Sequence, residues 1–537
     1  MTRPSFRLST LLLTSIFAVL FLLQASCKAR NSAANSLADT ELDADQRNMN
    51  VRVRLSVFDP ANKTNVDAYV KAFKLLQSTP EGKKVWDSLA SIHENYCPHG
   101  NWFFLPWHRV YLAHFERIIA AASGKPDFAL PYWDWDGEGR NRIPDIALNP
   151  DGLLWPNRSP AAASSAGRMR DENVGKRAME QIMATKDFFA FGSGRSAEPR
   201  VGRGSQGLLE AMPHNSTHVW IDGDMATFLS PKDPVFWMHH ANVDRIWSVW
   251  MKAQKDAGRE ILPPKNLVSE AKRDLWLDYQ FKKGFIEPAN GRDFLHPTAV
   301  TKIHRVRDTF ESIPMFGYTY PGLTSTPTVN AAREIPDATG APATSPQYSI
   351  QMPLKLKQVA VFDRLKAFVF VIDLGMSTGN DSSGVSVNGL QLLKRASDAF
   401  TAAAGNSANL PSAILYVDDV PVPADMKATS LQFYLNTTPQ TIPSMDPKNF
   451  LGTFSFFGLD HVHENHAAPT ATGLILDLGL ALQKNILAAN SANNLFVNTF
   501  VKYTDPNGND VTDQRQLPWD LKPKLREMKW RLEYSEP

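Results

Sequence analysis

Apolar residues recur every three to four positions through two early stretches, Asp67 to Leu76 and Glu81 to His93, the second with Trp86, Leu89 and Ile92 on one side. That period predicts helices. Pro80 stands where it can start the second helix, and His93 leaves its end. Leu105, His108, Leu112 and Phe115 repeat the spacing and predict a third helix over Phe104 to Ile119. Late in the chain the pattern changes. Val359 to Phe362, Ala367 to Ile372, Ala413 to Val417, Leu431 to Leu435 and Leu495 to Phe500 are short, apolar or alternating, and divided by turn signals. Such runs predict strands, here of a β-sandwich or barrel. The expected fold is a mainly α-helical domain over 49–320 and a β-rich C-terminal domain over 348–537. A Pro-, Thr- and Ala-rich linker over 321–347 joins them.

Residues 1–27 pair a basic start, Arg3 and Arg7, with the apolar run Leu8 to Leu23. This is the order of a secretory signal. Ala25 and Ser26 before Cys27 resemble a bacterial lipoprotein processing site, although Gln24 stands where leucine is usual. The expectation is an exported protein: secreted, held in the periplasm or at the outer membrane through a lipidated Cys27, or retained by an uncleaved anchor. Residues 28–48 are polar, lack apolar periodicity and read as a flexible tether. Gly192 to Gly207 reads as a surface loop bordering a site or as a solvated connector.

Composition narrows the class. The chain has 537 residues, 43% hydrophobic and 21% charged, with a formal net charge of +2. That balance fits a globular protein and gives no strong attraction to nucleic acid. Cys27 and Cys97 are the only cysteines, so there is no disulfide framework.

Histidine carries the chemistry. His93, His99, His108 and His114 fall in one short window, and His214, His218, His239 and His240 in another. His214 and His218 share a face if helical. His239 and His240 point about 100° apart on a helix, so only one joins the same cluster. Three imidazoles from each window would hold two metal ions. All-nitrogen ligation suits copper or zinc. A zinc hydrolase would want a glutamate base between its ligands, as in HExxH. His214-Asn-Ser-Thr-His218 lacks one, which favours paired copper.

The segments FLPWHRVYL (104–112) and DPVFWMHHANVDRIW (233–247) resemble the tyrosinase, catechol oxidase and haemocyanin superfamily. The resemblance implies a four-helix bundle holding two copper ions that bind dioxygen between them. It assigns His93, His99 and His108 to the first copper and His214, His218 and His240 to the second. His114 and His239 become neighbouring or packing residues. Cys97, two before His99, matches the place where some members carry a thioether to the histidine. Glu210 and Asn215 match a pair that in plant members holds a water thought to take the proton from a phenol. Phe236 matches a phenylalanine beside the coppers, and Phe228 or Leu229 a gate over them. Asp244 is expected to hydrogen-bond a ligand or Arg245. Arg109 and Glu116 are read as a structural ion pair or surface charges. Pro131 to Asp136, Asp274 to Phe281 and Phe316 to Tyr320 resemble structural segments of the family. Val417 to Asn436 and Phe450 to Phe457 resemble the plant C-terminal domain that shields the site in latent enzymes. His461, His463 and His466 read as a loop or strand edge, with weak auxiliary copper binding as the alternative.

The activity this implies is ortho-hydroxylation of monophenols and oxidation of o-diphenols to o-quinones, with phenols and dioxygen as partners. A catechol oxidase and a haemocyanin-like oxygen carrier are the alternatives.

Overall fold

The structure is a computed structural model describing residues 51–194, 205–263, 268–281, 284–323, 349–381, 384–402, 411–425, 427–438, 442–459, 471–485, 493–517 and 521–535. Cys27, most of the linker and His461 to His466 lie outside the described residues. Residues Arg52–Pro537 form one compact unit.

Five helices position the histidines: α1 (Lys63–Ser78), α2 (Pro80–Tyr96), α3 (Phe104–Ser123), α4 (Asn215–Ile221) and α5 (Val235–Asp256). The start of α2 follows from its sequence. Thr79 Oγ1 accepts the Gly82 N–H at 3.0 Å, and Pro80 occupies the first turn, where a missing N–H costs nothing. α3 stops at Gly124, whose φ of 73° suits glycine. At the start of α5, the buried Arg158 clasps Asp233 through Nε at 2.7 Å and Nη2 at 2.6 Å. Asp233 Oδ1 in turn accepts the Val235 N–H at 2.9 Å.

Aromatic packing sets the helices against one another. Trp237 of α5 stacks on Phe115 of α3, with centroids 3.6 Å apart and planes 5° apart. Trp86 of α2 meets both rings edge-on. A buried ion network locks the far side. Asp244 receives Arg109 Nε at 2.5 Å, Arg54 Nη1 at 3.2 Å, and the hydroxyls of Tyr318 at 2.7 Å and Tyr320 at 2.6 Å. Glu116 pairs with Arg54 Nε at 2.9 Å. Burial pushes the Asp244 carboxyl up, but Arg109 and Arg54 hold it below its ordinary range. Arg109 and Glu116 are thus both buried ion-pair partners, each with a different residue from the one expected.

The β-rich part is a curled sheet built from β1 (Ser205–Gln206), β2 (Ser349–Phe362), β3 (Ala367–Asp373), β4 (Ser412–Pro421), β5 (Thr429–Asn436), β6 (Phe450–Ser455), β7 (Ala471–Asp477), β8 (Asn494–Tyr503) and β9 (Lys529–Ser535). Its hydrogen-bonded order is β6-β5-β8-β3-β2-β9-β4-β7-β1. All neighbours pair antiparallel except β7 with β1, where Gly473 faces Ser205 and Leu474 faces Gln206 in parallel. β1 therefore ties the segment just before the second histidine group to the C-terminal sheet.

Candidate metal centre

His93 lies in the last turn of α2, His99 in the connection to α3, and His108 in the second turn of α3. His214 ends a five-residue π-type turn, Glu210–His214, and His218 follows on α4. Pro213 within this turn has no N–H, and the turn widens so that the Asn215 N–H reaches the Glu210 carbonyl. His239 and His240 lie on α5. Two groups result, His93/His99/His108 and His214/His218/His239/His240, all buried.

Backbone carbonyls set the tautomers. His93 Nδ1 lies 2.7 Å from the Phe228 carbonyl, His108 Nδ1 2.8 Å from the Phe104 carbonyl, and His218 Nδ1 2.6 Å from the Met225 carbonyl. A carbonyl only accepts, so each Nδ1 carries the proton and each Nε2 keeps its lone pair. His214 Nδ1 is held in the same way by Asn215 Oδ1 at 2.8 Å. The freed Nε2 atoms converge: His93 and His108 approach to 3.3 Å, and His218 and His240 to 3.2 Å. Two lone pairs at that separation repel unless a cation lies between them. With the zinc–imidazole bond of roughly 2.0–2.1 Å as a guide, one tetrahedral ion holds two ring nitrogens about 3.3 Å apart. The buried Nε2 atoms of His99 and His214 have no hydrogen-bond partner and complete two sets of three. Donors that are all nitrogen, with no carboxylate in either group, suit copper or zinc. The two groups fit two copper ions.

Burial keeps these imidazoles neutral. It pushes His93 and His214 down to about 3, and the other five well below their ordinary value. The unfolded chain takes up protons below about pH 6.5, whereas the folded site resists until far lower. Stability of the metal-free protein is therefore full above about pH 6.5 and lost as pH falls toward 3. Thermal melts of copper-free protein are expected to show a falling midpoint below pH 6.5. A flat profile between pH 7 and 4 would contradict the buried, neutral state.

The ring environment is aromatic. Phe236 lies 4.1 Å from His240 and 5.0 Å from His93, between the two groups. Phe228 lies 5.2 Å from His99 and 6.1 Å from His93; of the two expected gate residues it is the ring over the histidines. Leu229 is half-buried beside it, its N–H bound to Thr227. Cys97 Sγ sits 3.4 Å from His99 Nδ1, against the ring a thioether would join.

Several expected residues stand differently. Asp244 hydrogen-bonds neither a histidine nor Arg245, because its oxygens serve Arg109, Arg54, Tyr318 and Tyr320. Arg245 pairs with Asp136 at 2.8 Å instead. His114 lies away from both groups, stacked 5.3 Å from Phe285 and beside His304. The described ends of Gly192 to Gly207 are not a solvated surface. Ser193 and Gln206 are both buried, because each serves a site residue. The Ser193 hydroxyl donates to Glu210 Oε2. Gln206 Oε1 accepts from Asn215 Nδ2 at 2.7 Å.

Glu210 and Asn215 flank His214, each with its own partners. Glu210 Oε1 accepts the Gly100 N–H at 2.7 Å. Burial raises its carboxyl to about 8, partly offset by that N–H. The second N–H of Asn215 Nδ2 goes to the Ser455 carbonyl at 3.0 Å. Ser455 belongs to the C-terminal sheet, and its hydroxyl also meets Ser216 Oγ at 2.8 Å. Two residues on, Phe457 stacks on His218 with centroids 4.1 Å apart, and meets His99 and His214 edge-on at 5.5 and 5.7 Å. Gly458 follows with φ 69°; a Cβ there would come within 2.9 Å of Phe228 Cζ. Sequence reading missed Gln206, Ser455 and Phe457 as site residues. A serine or phenylalanine at a strand end carries no signal beyond core or edge.

Residues 83–164 and 148–253 match the common central domain of tyrosinase. A tyrosinase of Hahella sp. (strain CCB-MM4) is 33% identical over 289 residues, 49% of this chain and 57% of that protein. The latent chloroplastic polyphenol oxidase of Prunus armeniaca is 27% identical over 355 residues, 57% of this chain and 55% of that protein. The match thus spans little more than half the length of these relatives. Latent apple tyrosinase shares the fold, with TM-score 0.53 at 22% identity, covering 84% of this chain and 94% of that one. Latent aurone synthase does likewise, with TM-score 0.56 at 19% identity, over 84% and 86%.

Proposed function

Because the chain belongs to the tyrosinase and polyphenol oxidase family, we propose that it is a copper oxidoreductase acting on phenols with dioxygen, and a tyrosinase in particular. The observation that carries this is the pair of histidine trios whose Nε2 lone pairs face each other at 3.3 and 3.2 Å. The proposed ligands are His93, His99 and His108 for one ion and His214, His218 and His240 for the other. Bound copper supplies dioxygen binding and the electron transfer.

The chain's own residues do the rest. Carbonyls of Phe228, Phe104 and Met225 fix the ring orientations. The buried aromatic wall of Phe228 and Phe236 excludes water and offers faces to a phenol ring. An aromatic side chain, Phe457, already stacks on His218, so the space there accepts a six-membered ring. We propose Phe457 as a plug held in by the C-terminal sheet, which would make the intact chain a latent form.

A phenol, with a pKa near 10, must lose its proton to bind a cation as phenolate. Glu210 is the buried carboxyl proposed to take it in its ionised form, which burial makes the major form only above about pH 8, and Asn215 is the amide that orients its neighbour His214. Replacing Glu210 by Gln is expected to lower monophenol turnover by about 10²-fold or more and to spare diphenol oxidation. Oxygen uptake on a monophenol and its matching diphenol checks this. Equal losses on both substrates would remove the proton-transfer role.

One observation favours a narrower activity in the intact chain. Both N–H groups of Asn215 are taken, by Gln206 and by the Ser455 carbonyl. On that reading the intact chain oxidises diphenols only, and release of the sheet restores hydroxylation.

A further inference from the structure

Two adjacent histidines, His239 and His240, both sit within ligand reach of His214 and His218, although a trio needs only one of them. His93, His108 and His218 are prepared for metal by a carbonyl on Nδ1, and His214 by Asn215 Oδ1. His240 has no such partner: its Nδ1 is buried without a hydrogen bond. It is held by ring contacts alone, stacked 4.5 Å from His108 at 15° and 4.1 Å from Phe236. Apart from the 3.2 Å approach of its Nε2 to that of His218, nothing on His240 prepares it as the ligand.

The mark is on its neighbour. Trp135 Nε1 lies 3.1 Å from His239 Nδ1. An indole N–H only donates, so Nδ1 of His239 must accept. Its lone pair is used there, and the ring's single proton sits on Nε2. A protonated nitrogen has no lone pair for a metal. Nε2 of His239 is buried without a hydrogen-bond partner of normal geometry, and the His214 backbone carbonyl lies near the ring as an acceptor. Trp135 itself is fully buried, in the segment Pro131 to Asp136, where the backbone N–H of Trp133 donates to the Met238 carbonyl at 2.9 Å. The indole is therefore anchored to α5 at the residue before His239.

We propose that Trp135 is a positioning residue that selects the ligand of the second copper, by locking His239 in the tautomer that cannot bind metal and leaving the place to His240. The proposal rests on the copper reading above. It gives a physical reason for keeping two neighbouring histidines while using one, and it predicts that the choice is reversible.

The test counts copper per chain in purified, copper-loaded full-length protein. The parent is expected to hold two ions, His239→Gln two, and His240→Gln one. In the double variant Trp135→Phe with His240→Gln, His239 is freed to present a lone pair, and copper is expected to return toward two. Replacing Trp135 by benzothienylalanine, the sulfur isostere that keeps the shape and removes only the N–H, is expected to restore copper in the His240→Gln background as well. This second route decides the matter if the phenylalanine leaves a packing defect. Loss of a copper from His239→Gln would make His239 itself a ligand and overturn the proposal. So would an isostere variant no richer in copper than His240→Gln alone. A parent that binds no copper pair would instead defeat the copper reading, which keeps the two failures distinct.

Discussion

Replacing Asp244 by alanine is expected to lower the unfolding free energy by about 3–5 kcal/mol. Its carboxylate is the meeting point of Arg109, Arg54, Tyr318 and Tyr320, all buried. Removing it strands two guanidiniums where water cannot reach them. Arg109 keeps the Thr309 carbonyl at 2.7 Å and Ser248 at 2.6 Å, and Arg54 keeps Glu116, so the loss is large but short of a bare buried charge. The effect reaches the metal centre through α5. Asp244 lies one turn after His240, and Tyr320 also donates to the Ala241 carbonyl at 2.9 Å. Denaturant unfolding of the copper-free protein measures the stability term. Tyr318→Phe serves as the calibrating variant, removing one charge-assisted hydrogen bond for about 1.5–3 kcal/mol. An Asp244→Ala protein within about 1 kcal/mol of the parent would show that the network contributes little net stability, the outcome known where desolvation offsets attraction.

The second large effect is expected at Phe457. Its ring lies on His218 at 4.1 Å and closes the space between the two histidine groups. Phe457→Ala in the intact chain is expected to raise diphenol oxidation by about tenfold or more, since each 1.4 kcal/mol of relieved exclusion is a factor of ten. Copper content should not change, because Phe457 supplies no ligand. Phe457→Leu, which keeps bulk without the flat face, should fall between. Oxygen uptake by the intact variants reads this directly. An alanine variant as inactive as the parent, with full copper, would place the barrier elsewhere, at Phe228 or at the Ser455 contact with Asn215. Because β6 ends at Ser455 and that residue binds both Asn215 and Ser216, displacement of the sheet would remove the plug and free the amide together.

Much of this was legible in the sequence for a plain reason. Helix period and the spacing of His214 and His218 follow from local geometry, which a linear chain states openly. The same holds for the start of α2 at Pro80, and for the apolar alternation of the C-terminal strands. Metal chemistry was legible because imidazole is a specialised group and its clustering in two windows is improbable by composition. The sequence also narrowed the expected third ligand of the second copper to one of His239 and His240.

Tertiary structure decided what depends on residues far apart. Asp244 was placed one helical turn from a ligand, yet its partners Arg54, Arg109, Tyr318 and Tyr320 come from three separate stretches that only the packed core assembles. Gly192 to Gly207 has a loop's composition, but pairing with Leu474 and the pull of Glu210 and Asn215 bury its described ends. Phe457 reads as an ordinary strand-end phenylalanine, and only the docking of the sheet on α4 sets its ring on His218. A donor more than a hundred residues upstream, Trp135, fixes the tautomer of His239. Hydrogen-bond direction, burial and ring stacking are properties of neighbours in space. The chain therefore specified which groups could bind metal, and the fold decided which nitrogen atoms present their lone pairs.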